Sequence, residues 1–445
     1  MFSTQQNIVM SVSILSYIPS GQHAAIAART STYDASADFN AAIAAFPPEG
    51  GTLYIPAGKY RLNSMIDNKV NVCWLGDGPD ASTLEWASTH TGHGIRQPLP
   101  VNGSTQANNI VEKIGLVSLA GGASTGGGYY DRGGTEVRIV NCRVEAFKYG
   151  IILDQSEIAD VDMCDIFGSH HSCIWIVNGY ESALGNVTTP GNIHASPGYT
   201  NRIAVKRCQL NGPGQYCILD DGGVAHSFID NNLNGSYMAI RAAGVAELTI
   251  QGNYFEGAAS TVIYFSNYSA SDIGVGPCGG VLIAGNAIFP PGGNYCIQSA
   301  SLSRLTLIGN LFGNSQNTSV AAVNCTEMSM VHSMGNETGS VGGMFQNAPY
   351  LVRWSAEALR DGSATADVGS IAPGASAFVN VTVPDAAVGD RIDFVSASVD
   401  LGDDITISGR VSAANTVRVK LTNTGAAAVD PTSCTYSARV EKKSL

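Results

Sequence analysis

Two pairs of aspartates stand where a chain could carry out acid–base chemistry. Asp220 and Asp221 adjoin in YCILDDGG, and Asp160 and Asp162 lie two apart in EIADVDMC. Residues two apart on a strand point the same way, with side chains about 7 Å apart. That separation lies between those of retaining and inverting glycoside hydrolysis, so the pair fits the reaction without fixing its stereochemistry. With Asp165 the same pair offers the oxygen-rich composition of a Ca²⁺ site. Adjacent strand residues face opposite ways, so Asp220 and Asp221 converge only if the following Gly222–Gly223 ends the strand in a turn. Glu157, just after Asp154, is within reach of either neighbourhood. The structural alternatives are a solvated edge ion-paired to Arg138 or Lys206, and a turn whose aspartates cap backbone N–H groups.

What positions these residues is a repeat. Short segments reading apolar-x-apolar-x-x-[Asn or Cys]-x-apolar recur at Cys142, Cys164, Asn186, Cys208, Asn231, Asn253, Asn286, Asn310 and, by spacing, His332. Most steps are 22 to 24 residues, and one of 33 contains an insertion at SNYSASDIGVGPCGG. A short period with several strands and no helix pattern is the signature of a parallel β-helix. Equivalent residues then form columns about 4.8 Å apart, and a buried Asn column can bond along the axis. Cys142, Cys164 and Cys208 take Asn positions in one column; Cys173, Cys217 and Cys296 share another. The pattern therefore reads them as small packing residues rather than metal ligands, with in-register disulfides geometrically open.

Column logic also nominates outward positions on one set of strands: Asp154, Trp175, Arg241 and Tyr264, a mixture of aromatic and polar groups suited to sugar. Lys206 faces out two rungs beyond Asp160. Tyr216 or a histidine, acting with Arg241, would supply the base and cation that β-elimination of a uronate needs.

Composition narrows the partners. Charged residues make up 13% of the chain, glycines number 51, and 36 acidic against 24 basic residues give a net charge of −12. Without a Lys/Arg cluster, nucleic acid and anionic membrane are poor partners. No apolar run is long enough to span a bilayer, and the N-terminal stretch lacks the basic start of a secretion signal. The ten cysteines then imply maturation in a reducing compartment.

Upstream of the repeat, SADFNAAIAAF gives a short helix with Phe39, Ile43 and Phe46 on one face and Ser36 as its cap, suited to closing the open end of a solenoid. Downstream, from about Ala364, AFVNVTV, RIDFVSAS, ITISGRVS, TVRVKLTN and TYSARVEK alternate apolar and polar residues between turns, predicting a small antiparallel sandwich or jelly roll.

The stretch DFNAAIAAFPPEGGTLYIPAGKYRL, followed by VCWLGDGPDASTLEW, resembles the opening rungs of the pectate-lyase-like superfamily of right-handed β-helices. The preceding VSILSYIPSGQHAAIAARTSTYDAS is similar to the lead-in of bacteriophage tailspikes. The expected fold is all-β: a right-handed parallel β-helix of about 22 residues per rung, with an N-terminal capping helix and a C-terminal antiparallel β-sandwich. The expected domains are 1–50 (lead-in and cap), 51–350 (β-helix) and 351–445 (linker and sandwich, for trimerisation or carbohydrate binding).

The resemblance implies a phage or prophage depolymerase, homotrimeric and virion-borne or extracellular. It would bind and cut a bacterial surface polysaccharide, in company with other tail proteins. Hydrolysis by Asp220, Asp221, Asp160, Asp162 and Glu157 is expected, with Asp154, Trp175, Arg241, Tyr264 and Lys206 holding sugar and no metal or cofactor. The alternatives are a lyase on a uronate polymer, with Ca²⁺, and a non-catalytic adhesin. The Gly-His-Gly and Arg-x-Lys motifs that follow the Asp pair in polygalacturonases do not follow Asp220 and Asp221 within the repeat.

Overall fold

The computed structural model describes residues 10–97, 109–178, 200–266, 278–289, 295–300, 302–313, 323–325, 328–334, 336–338, 345–346, 351–353 and 359–441. These form two units, Met1–Val331 with Asn336–Tyr350, and His332–Gly335 with Leu351–Leu445.

The first unit is a parallel β-helix. Each coil runs through three faces, as in Thr135–Val140, Arg143–Glu145 and Tyr149–Asp154, before Glu157–Asp162 begins the next coil directly over the first. Long parallel sheets result; those of the second and third faces each hold 11 strands among the described residues. Strict register puts one core residue on each rung. Leu53, Trp74, Val111, Ile139, Val161, Val205, Phe228, Ile250, Ile283 and Leu307 stack in a single column, each fully buried. At roughly 2–3 kcal/mol per buried large side chain, this column is a main source of stability.

The turn from the first to the second face needs a left-handed residue. Gly252, Gly285 and Gly309 supply it, and elsewhere Asn141, Met163, Arg207 and Asp230 take φ near +50° to +55°. The ladder residue follows immediately. Asn231, Asn253, Asn286 and Asn310 each donate Nδ2 to the Oδ1 of the next asparagine at 2.8–3.0 Å and to a carbonyl of the preceding rung. Cysteines continue the column. The thiols of Cys142, Cys164 and Cys208 point at the equivalent carbonyls of Val111, Ile139 and Val161, at 3.4–3.5 Å, and Cys208 N–H donates to Asn231 Oδ1. Cys73, Cys142, Cys164, Cys173, Cys208, Cys217, Cys278, Cys296 and Cys434 are free thiols.

Three details correct the repeat. Asn336 occupies the ladder, accepting from Asn310 Nδ2 at 2.8 Å, whereas His332 lies within the preceding strand Met328–Met334. Asn186 lies outside the described residues. Glu157–Asp162 pairs directly with Asn201–Lys206, and Ser172–Val177 with Tyr216–Asp221. The 44 residues from Cys164 to Cys208 are thus one coil with an insertion, and Lys206 lies one rung from Asp160. A sequence period cannot distinguish two rungs of 22 from one rung carrying 22 extra residues.

At the N-terminal end, Ser11–Ser13 adds a strand beside Gly51–Ile55, and helices Ser20–Ala27 and Ser36–Ala44 precede the coils. Phe39 stacks on Trp74 at 5.7 Å and meets Tyr60 edge-on at 5.9 Å, closing the first coils. Asp34, not Ser36, serves the helix start, accepting from Ser36 N–H at 3.0 Å.

The second unit is an antiparallel sandwich. Leu359–Ala366, Cys434–Glu441 and Arg391–Ala397 make one sheet; Ser376–Thr382, Thr416–Asn423 and Ile405–Ala413 make the other. Val381, Val417, Val419, Leu421, Tyr436 and Val440 fill the space between them.

Candidate functional site

The third face carries the chemistry. Its strands Gly127–Arg132, Tyr149–Asp154, Ser172–Val177, Tyr216–Asp221 and Met238–Ala243 lie side by side in register. One outward column reads Tyr130, Ile152, Trp175, Leu219, Arg241, Tyr264, Gln298, and a second reads Arg132, Asp154, Val177, Asp221, Ala243, Ser266. Asp154 and Asp221 therefore flank Val177. Two rung spacings set their backbones about 9.5 Å apart.

Aromatic rings surround both carboxylates. Tyr130 hydroxyl donates to Asp154 Oδ2 at 3.1 Å, and the Trp175 indole N–H donates to Asp221 Oδ2 at 2.9 Å. The Arg241 guanidinium stands 3.8 Å from Asp221 Oδ1 and over the Tyr216 ring. Tyr149 packs on Trp175 at 4.7 Å and on His171 at 5.1 Å, and His171 meets Tyr216. These outward residues are nevertheless removed from solvent: Asp154 and Asp221 are 0% exposed and Trp175 is 4% exposed. Tyr216, Arg241 and Tyr264 are partly exposed and form the open flank.

Burial governs protonation here. It pushes His171 down to about 4, with the cations of Lys148 and Arg241 adding to the effect, and pushes His93, stacked on Tyr130, down to about 3. Tyr149 is pushed up to about 12, by burial first and then by the charge of Asp221. At neutral pH His171 and His93 are neutral imidazoles and Tyr149 a neutral phenol, beside the buried Asp221.

The expected residues fall into three groups. Asp221, Asp154, Trp175, Arg241 and Tyr264 share the third face. Asp220 is separated from Asp221 by the pleat. Tyr216–Asp221 is a continuous strand, not a turn, so Asp220 points into the core beside Ile176 and Ala242. There its Oδ2 meets His226 Nδ1 at 2.9 Å, both side chains fully buried. Asp160, Asp162 and Lys206 lie on the first face in ion pairs. Lys206 Nζ is 2.8 Å from Asp160, and Arg207 Nε donates to Asp162 at 2.9 Å. Glu157 opens that strand, half-buried. The sequence reading overlooked Tyr130, Tyr149 and Arg132. Tyr130 and Arg132 follow from extending the two outward columns one rung upstream, through GGYYDR.

Among the described residues no three His, Cys, Asp or Glu side chains gather as a metal set, and no helix is long and apolar enough to cross a membrane.

The fold has solved counterparts. The A-module of a mannuronan C-5 epimerase from Azotobacter vinelandii matches with a TM-score of 0.52 at 14% identity, over 77% of this chain and 99% of that one. A tailspike protein of Escherichia coli bacteriophage HK620, solved with a pentasaccharide, gives 0.51 at 12%, over 97% and 93%. A DFA-IIIase from Arthrobacter chlorophenolicus, solved with DFA-III, gives 0.55 at 11%, over 76% and 87%. At these identities the likeness is one of fold. No curated protein matches in sequence. The resemblance read at the opening rungs is borne out by a family model that matches residues 27–258, through the cap, the ladder and the third-face aspartates: the chain belongs to the rhamnogalacturonase A/epimerase, pectate lyase-like family.

Proposed function

We propose that the chain is a polysaccharide-cleaving enzyme of tailspike type that hydrolyses a bacterial surface glycan with inversion, using Asp154 and Asp221. One observation carries this reading. Two carboxylates sit outward on one column, about 9.5 Å apart at the backbone, a spacing from which side-chain rotation can set the carboxyl groups the roughly 6.5–9.5 Å apart that leaves room for a water opposite the leaving group. Asp221, its charge offset by Trp175 N–H and Arg241, serves as the base that activates water. Asp154, beneath Tyr130, protonates the departing glycosidic oxygen. Tyr216, Arg241 and Tyr264 on the open flank receive the saccharide, and its entry must uncover the two carboxylates. A homotrimer on a phage tail, in company with other tail proteins, fits the likeness to tailspikes.

The test is chain length. Incubation of the full chain with capsular, exopolysaccharide and O-antigen preparations should shorten one of them. Asp154→Asn and Asp221→Asn should each lower that rate about 10²- to 10⁴-fold while leaving melting unchanged. Glycan bound but not shortened would convert the reading to an adhesin.

A second chemistry is favoured by the neutral His171 beside Tyr216 and Arg241. On a uronate, these residues supply a base and a carboxylate partner for β-elimination, with Ca²⁺ as the added cation. Ultraviolet absorbance from an unsaturated product would select it, since hydrolysis gives none.

A further inference from the structure

The second unit carries a charged surface that the cleavage reading does not use. On the outer face of its Ser376–Thr382, Thr416–Asn423 and Ile405–Ala413 sheet, Arg418 lies opposite both Asn380 and Arg410. One pleat further on, Lys420 lies opposite both Phe378 and Ser408. Two arginines face each other across adjacent strands with a lysine about 7 Å away along one of them. Like charges set directly opposite destabilise a sheet. The remaining outward positions, Ser376, Thr382, Thr406, Thr416 and Thr422, bear hydroxyls, and the face holds no carboxylate. Among the described residues none of the three cations has an ion pair, although acidic residues outnumber basic ones by 36 to 24. Phe378 is 58% exposed, with the Arg418 guanidinium 5.8 Å from its ring. Together these side chains line a concavity of about 320 Å³.

We infer that this face is a binding site for an acidic saccharide, its carboxylates meeting Arg410, Arg418 and Lys420 and its sugar ring lying on Phe378. Unpaired like charges retained on a sheet mark a surface whose compensating anion comes from outside the fold. An exposed aromatic with a fringe of hydroxyls selects a sugar over a bare anion. The inference is independent of the cleavage reading, because it concerns another unit and needs no reaction.

The experiment uses the full chain with a galacturonate oligosaccharide as probe, and a neutral galactose oligosaccharide of equal length as control. Hydrogen exchange should slow on the uronate, but not the neutral sugar, in residues 376–382 and 405–423. Arg410→Gln with Arg418→Gln should abolish that protection, weaken the uronate affinity read at this face about tenfold, and raise the melting temperature by relieving repulsion. Phe378→Ala should weaken binding without changing its salt dependence. Protection confined to the β-helix, equal protection by the neutral sugar, or protection that survives the double substitution would overturn the inference. So would loss of self-association in the double variant with uronate protection intact, since the anion would then be a second copy of the chain. Failure of cleavage alone would leave the exchange result standing.

Discussion

Replacing Asn253 by alanine probes the physics that holds the rungs in register. Its Oδ1 accepts from both the backbone N–H and the Nδ2 of Asn231 at 2.9 Å, and its own Nδ2 donates to Phe228 O at 2.8 Å and to Asn286 Oδ1 at 3.0 Å. Alanine removes these four bonds. Asn231 N–H is left buried without an acceptor, at about 1–3 kcal/mol, and each remaining net loss is worth about 1 kcal/mol. The total is about 4–6 kcal/mol, a fall in melting temperature on the order of 5–10 °C. Asn253→Cys should recover part of this, because a thiol there can reach Phe228 O as Cys142 reaches Val111 O at 3.4 Å. Asn232→Ala, one residue past the ladder position Asn231 and partly exposed, is the control and should cost about 0.5 kcal/mol or less. Thermal and urea unfolding of the three variants, followed by tryptophan fluorescence, reads the order. An Asn253→Ala cost near the control value, or Asn253→Cys no better than Asn253→Ala, would refute the ladder as a source of stability.

Asp160→Ala should leave cleavage intact and change stability by about 1 kcal/mol or less, since Asp160 pairs with a partly exposed lysine; a loss of glycan-shortening activity would move the site to the first face. His226→Ala strands the buried Asp220 carboxyl and should cost about 3–5 kcal/mol, read as a lower urea midpoint. His171 and His93 remain neutral in the fold, at about 4 and about 3. The unfolded chain therefore takes up protons first, and stability falls as pH drops from about 6.5 toward 4. At most this accounts for about 3 kcal/mol at His171 and about 5 kcal/mol at His93, and His171→Gln should flatten the melting-temperature profile across that window. In the glycan-shortening assay, Trp175→Phe keeps the ring against Tyr149 but removes the N–H held by Asp221; turnover should fall more than affinity.

Much of this protein can be read from local patterns. The ladder positions, the inward columns, the capping helix and the alternating strands of the second unit follow from short-range chemistry. A rung repeats its own hydrophobic and turn requirements, and each residue's neighbours in the stack are set by counting. Counting also brought Asp154, Trp175, Asp221, Arg241 and Tyr264 to one face. It failed where rungs differ in length. The coil from Cys164 to Cys208 carries an insertion as long as a rung, so Lys206 is one rung from Asp160, and the ladder resumes at Asn336 instead of His332. Tertiary structure alone decided that the strand runs on through both aspartates instead of turning at them. The pleat sends Asp220 inward to His226 and Asp221 outward to Trp175, and burial keeps His171 and His93 neutral. That division depends on where the strand ends and on what covers the face. Residues remote in the chain set both, and no local pattern records them.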